Sequence, residues 1–132
     1  MKSRRPTARK VHAQFRTAGV ISIFLGDFGR ESELDGYLEK RFACDFGFEI
    51  EPRDGPECSC HRTAQDVRSL LSGASWHETF ADAAAAVARE RGVLRAKCAL
   101  VFYNFEYCPT DTAPKSAKLV FIGTFAFTAN SS

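Results

Sequence analysis

The chain has 132 residues, 45% of them hydrophobic and 26% charged, which is enough for one core and too apolar for a disordered, fibrous or low-complexity segment. Its net charge is +2, and an odd count of five cysteines fits free thiols in a reducing compartment better than a disulfide framework. No apolar run is long enough to cross a bilayer, and the basic start MKSRRPTARK lacks the apolar segment of a cleaved signal, so a cytoplasmic protein is expected.

Residues 1–16 hold Lys2, Arg4, Arg5, Arg9 and Lys10 with little apolar periodicity, and read as a flexible basic N-terminal arm before a single domain over 17–132. The first element of that domain is VISIFLGDF from Val20, with the length and β-branched content of a buried strand. In RESELDGYLEKRF, Leu34, Tyr37, Leu38 and Phe42 recur at helical spacing, and Ser32 and Asp35 stand at capping-box spacing. Next, FGFEIEP alternates as a short half-exposed strand, and RDGPECSCH reads as a loop. Thr63 and Asp66 signal the start of a second helix through Val67, Leu70 and Leu71, ended by Gly73. Ser75 and Glu78 repeat the signal before an alanine-rich third helix to Gly92, with Phe80, Ala84, Val87 and Ala88 inward. The apolar KCALVFYNFEY is expected as a central strand, and KLVFIGTFAF as a last strand forming a hairpin with it. The expected fold class is therefore α+β, a mainly antiparallel sheet of three to four strands packed by three helices.

Two near-identical pentapeptides, FLGDF at 24–28 and FIGTF at 121–125, each place a glycine between two Phe on a strand. Glycine weakens a strand unless the vacant space is used, and a cross-strand ring is the usual occupant, so the first and last strands are expected to be neighbours.

The charge is unevenly spread. Beyond the first ten residues the balance is −3, and residues 27–57 hold ten acids against four bases, a net of −6. This predicts an acidic face rather than an acidic tail. Cys58, Cys60 and His61 in CSCH, with Cys44 and His77 as further ligands, form the sharpest metal-like cluster. Structural zinc sites usually set cysteines about two to four residues apart in two such pairs, so a loop with free thiols is favoured over a small zinc- or thiol-dependent protein. A Cys–His pair of Cys58 or Cys60 with His77 lacks an acid to orient it. Cys98 and Cys108 flank the central strand and read as core or rim residues. Trp76 is expected to plug the end of the core, with His77 at the surface. The rings of VFYNFEY lack the basic residues of a base-stacking platform, and the basic arm alone offers nucleic acid only a weak, salt-sensitive attraction, so nucleic-acid binding stands as an alternative.

Taken in order, VISIFLGDF, SELDGYLE, CDFGFEIE, YNFEY and LVFIGTFAF resemble the bacterial polymorphic-toxin immunity family called immunity protein 22 over roughly residues 18–127. The chain departs from that pattern in Phe24, where a Trp would be expected, in the basic arm and in the cysteine-rich loop. The resemblance implies a cytoplasmic antidote that binds a cognate toxin domain directly, with no active site and no cofactor, and a basic nuclease as the natural partner. The acidic count points to Asp27, Glu31, Glu33, Asp35 and Glu39 as the contact surface, because an acidic face steers a basic partner.

Overall fold

The structure, a computed structural model, describes residues 10–11, 16–46, 48–50, 55–107 and 119–128. Its strands are β1 (Lys10–Val11), β2 (Arg16–Gly26), β3 (Phe48–Glu49), β4 (Glu57–Asp66), β5 (Arg95–Phe105) and β6 (Leu119–Ala126). Helices α1 (Glu31–Lys40), α2 (Phe42–Phe46), α3 (Val67–Leu71) and α4 (Ala81–Glu90) complete it, with a 3-10 turn at His77–Thr79.

A run of apolar residues on consecutive strand positions has side chains on both faces and must be covered on both. The segment 21–26 of β2 meets that demand by lying inside a four-stranded antiparallel sheet in the order β4-β5-β2-β6, buried throughout. On one face α3, the 3-10 turn and α4 cover a core of Ile21, Ile23, Leu25, Leu70, Leu71, Phe80, Ala84, Ala88, Val101 and Ile122. On the other, α1 and α2 close over Phe24, Phe28, Leu34, Phe42, Phe46, Leu100, Phe102, Phe105 and Tyr107. The first core is aliphatic and alanine-rich, so α4 can approach the sheet closely; the second is built mainly of rings. The α+β class, with a four-stranded antiparallel sheet, is as the sequence predicts.

The two strands that carry the pentapeptides, β2 and β6, are neighbours. Ile23 pairs with Val101 of β5 on one side and with Gly123 of β6 on the other. The expected hairpin between the last two strands is not formed: β2 lies between β5 and β6, which are therefore parallel and joined by a crossover. The repeated pentapeptide also works differently from the expectation. A bulge shifts the β2–β6 register between Ile23 and Phe24, so Phe121 joins the aromatic core while Ile122 and Phe125 join the aliphatic one. The ring over Gly123 is that of Phe125 on the same strand, 3.5 Å from where a Cβ would sit, and not a cross-strand ring.

Other elements are corrected as well. The first helix breaks at Arg41 into α1 and α2, and α1 has no side-chain cap, because its N-cap is Arg30 and Ser32 falls inside the first turn. Phe46 ends α2 rather than starting a strand, and Phe48–Glu49 pairs in parallel with Lys10–Val11 outside the main sheet. The expected loop at CSCH is part of β4, an edge strand ten residues long. Thr63 belongs to that strand, and Asp66 alone caps α3, accepting a hydrogen bond from the Ser69 N–H at 3.1 Å. The third helix starts only at Ala81, after the 3-10 turn. Of residues 1–16, positions 1–9 and 12–15 lie outside the described residues, as does Cys108.

Buried polar groups must be bonded, and the fully buried Ser22 shows how one end of the sheet is tied. Ser22 Oγ donates to the Phe105 carbonyl at 2.8 Å and accepts from the Tyr107 N–H at 2.9 Å. Tyr107 in turn donates its hydroxyl to the Phe46 carbonyl at 2.7 Å, fastening the end of α2 to the sheet.

Two glycines should respond oppositely to alanine. Gly123 has φ +155°, where an L-residue is strained, so Gly123→Ala should lose about 1–3 kcal/mol in urea denaturation. Gly36 lies in the interior of α1 with nothing within 4 Å of an added Cβ, so Gly36→Ala should gain about 0.5–1 kcal/mol in the same assay.

Candidate functional site

Helix α1 buries Leu34 and half-buries Tyr37 and Leu38, with Tyr37 against Phe28 and Phe42 at ring separations of 5.2 and 6.4 Å. That packing turns its remaining positions outward. Glu31, Asp35 and Glu39 recur every fourth residue and so share one flank of the helix, while Glu33 falls on the other. Glu31 and Glu33 also occupy the first turn, where negative charge complements the helix dipole. Asp27 stands in the turn leaving β2. All five carboxylates are exposed, and none has an ion-pair partner among the described residues. The only basic side chain between Asp27 and Glu39 is Arg30.

The acids lie beside a cluster of thiols. Cys58 and Cys60 alternate inward from β4 to pack against the aromatic core, and Cys60 pairs directly across the sheet with buried Cys98. Burial pushes the Cys58 thiol up to about 12 and that of Cys98 up to about 11, and raises Cys60 as well. Glu31 and Asp35 add to the shift at Cys58 and Cys60, and Asp27 adds to that at Cys98, so these acids stand near the thiol edge of the sheet.

These shifts run opposite to those of a reactive cysteine, whose thiolate must be stabilised. The CSCH cluster is also divided by its own geometry. Cys58 and Cys60 face the core, whereas His61 is exposed where the β4–β5 register breaks between Cys60 and Gln65. His77 stands in the 3-10 turn before α4, on the opposite face of the sheet, with Nδ1 3.1 Å from the Ala74 carbonyl. Among the described residues, no three His, Cys, Asp or Glu side chains converge as a metal would require.

A second arrangement was not anticipated from the sequence. Glu57, at the start of β4, accepts the Tyr103 hydroxyl at 2.6 Å, the Ser75 N–H at 2.9 Å and the Ser75 Oγ–H at 3.0 Å. Ser75 is thereby engaged away from the capping role expected with Glu78. Burial alone would raise the Glu57 pKa, but its three hydrogen bonds outweigh burial and hold it below the ordinary glutamate value. Tyr103 is pushed strongly upward, by burial and then by the carboxylate it donates to. Beside this knot Trp76 is half-buried, its ring 5.5 Å from Tyr103 and 5.9 Å from Phe127. Its backbone is left-handed at φ 56°, a conformation that bulky residues rarely hold unless their surroundings impose it. Glu57 is thus a structural acid and not a member of the exposed set. The signal that could have revealed it is the i, i+2 alternation of Glu57, Ser59 and His61 against Cys58 and Cys60, which fits the strand that the segment forms.

Two outcomes follow. Because the Glu57 pKa is lowered on folding, its stabilisation is present above the unfolded value of about 4.3 and is lost as pH falls through the folded value. Tyr103→Phe and Glu57→Gln should each lower stability at neutral pH, Tyr103→Phe by about 1–3 kcal/mol, and the Glu57→Gln deficit should shrink below about pH 4 in denaturation curves. Cys58, Cys60 and Cys98 should resist iodoacetamide in the native protein at pH 8 and label readily once it is unfolded, as followed by mass spectrometry. Comparison with protein-family models, with curated protein sequences and with solved structures finds no match to this chain.

Proposed function

We propose that this chain is a cytoplasmic immunity protein that neutralises a cognate bacterial toxin, a basic nuclease domain, by direct binding and without catalysis of its own. The observation that carries this reading is the set of exposed carboxylates at Asp27, Glu31, Glu33, Asp35 and Glu39, none of them ion-paired among the described residues. Like charges held close together on a rigid element repel, and a cationic surface docking on them relieves that repulsion while accelerating encounter. The class of partner rests on the resemblance of the motif order to immunity protein 22 noted in the sequence. The upward-shifted thiols and the absence of a converging ligand set among the described residues favour a binding role over a thiol or zinc site. No helix among the described residues is long and apolar enough to cross a membrane.

The test is co-expression with the toxin encoded beside it, together with a binding measurement on the purified pair. The wild-type chain should restore growth. Reversal of Glu31, Asp35 and Glu39 to Lys should weaken binding by about 30-fold or more if these contacts are desolvated, an effect of about 2 kcal/mol. Reversal of Glu33, on the other flank, should act mainly through the association rate and its dependence on salt. Failure of the wild-type chain to bind or protect would overturn the function; full protection by the reversed variant would overturn only the choice of surface.

A further inference from the structure

The sheet brings two cysteines from distant parts of the chain face to face. Cys60 of β4 and Cys98 of β5 are direct partners in the antiparallel ladder, and Cys60 ends its regular run, because the register breaks between Cys60 and Gln65. Residues directly opposite in such a ladder have Cα atoms about 4.5–5.5 Å apart, inside the roughly 4.4–6.8 Å that a disulfide spans. Both side chains turn to the aromatic core, and each thiol acts on the titration of the other, so the two sulfurs are close. The neighbouring thiol is placed less well. Cys58 pairs with Leu100 and is only diagonal to Cys98, a relation that sets Cα atoms about 7–8 Å apart. Along the extended strand it is about 6–7 Å from Cys60, at the far limit of a disulfide.

We propose that Cys60 and Cys98 form a disulfide when the chain meets a low-molecular-weight disulfide such as oxidised glutathione, stapling edge strand β4 to the centre of the sheet. Cys60 is half-buried at the margin and meets the reagent first; Cys98 is fully buried behind it. The Cys60 thiol loses its proton and attacks one sulfur of the reagent, giving a mixed disulfide, and the first small thiol departs with a proton. Cys98 then loses its proton and attacks the Cys60 sulfur, and the second small thiol departs in the same way. The protein pair gives up two electrons and two protons, and the reagent takes up both. Burial sets the rate: entry waits for β4 to open at its broken end, so the closure is slow. The pair is a cross-link site and not a catalytic one. Its position gives the cross-link a consequence. A Cβ on Gly29, just ahead of α1, would stand 3.4 Å from the His61 carbonyl oxygen, so the turn into α1 rests on β4 one residue beyond Cys60. The staple therefore fixes the strand on which the acidic helix starts.

Overnight incubation of the reduced full-length chain with oxidised glutathione, without toxin, tests this independently of the immunity reading. The intact mass should fall by two hydrogens, and digestion without reductant should yield one cross-linked pair of peptides containing Cys60 and Cys98. Cys60→Ser and Cys98→Ser should each remove that pair, whereas Cys58→Ser should keep it. Two measurements on the wild type need no variant: oxidation should raise the urea midpoint, reversibly on adding dithiothreitol, and hydrogen exchange should slow at Glu57 to Cys60. A disulfide mapped to any other pair would overturn the proposal. So would glutathione adducts at Cys60 that never close, an unchanged mass, or a Cys60–Cys98 disulfide that lowers the urea midpoint.

Discussion

Everything on the α1 side of the sheet depends on the packing of Phe24. Its ring is fully buried on the central strand and lies 4.9 to 5.7 Å from those of Phe42, Phe46, Phe102, Tyr107 and Phe121. Those five rings come from α2, from β5, from Tyr107 two residues beyond β5, and from β6, so one side chain sets the separation of the helical layer from three strands. Edge-to-face and tilted contacts add a directional preference to area burial. A ring of this size therefore fixes the seat of α2, and through it the slope of α1 and the presentation of its acids.

The parts of this architecture that were legible in the sequence are those where one local pattern dominates. Apolar residues that fall on both faces, in Ile23 to Leu25 and in Ala99 to Phe102, can be satisfied only by burial on each, so the two central strands are evident. Asp66 before Val67 and the alanine-rich stretch after Phe80 gave their helices for similar reasons. The edge strand β4 was hidden because an edge is satisfied by half-burial: only Cys58 and Cys60 turn inward, and cysteines invite a chemical reading before a structural one. The crossover between β5 and β6 was equally illegible, since a hairpin and a crossover differ in which strand arrives between them, and no local signal records that. Of the candidate site, the exposure of the acids follows from helical spacing, but the separation of Glu57 from them required the tertiary bonds to Tyr103 and Ser75.

The two cores also divide the labour of the fold. The alanine-rich side holds α4 close to the sheet and depends on small residues, whereas the ring-rich side holds α1 and α2 through bulky contacts and through two buried hydroxyls, those of Ser22 and Tyr107. Between them the sheet separates a charged margin at β4 from a neutral one at β6. A protein organised in this way can present opposite kinds of surface without either compromising the interior.

The strand order carries a consequence for how the chain reaches this state. The central strand β2 is made early, yet its neighbours β5 and β6 come from the last third of the chain; Ile23 waits for Val101 and then for Gly123. During synthesis its apolar residues have neither flank available, and the loops to be closed span most of the sequence. A topology dominated by such distant pairings pays its closure entropy before any reward and belongs to the slower end of single-domain folding. The newly made chain thus passes through an interval in which its most apolar segment is complete but unsheltered, and during that interval it is a natural client for a chaperone.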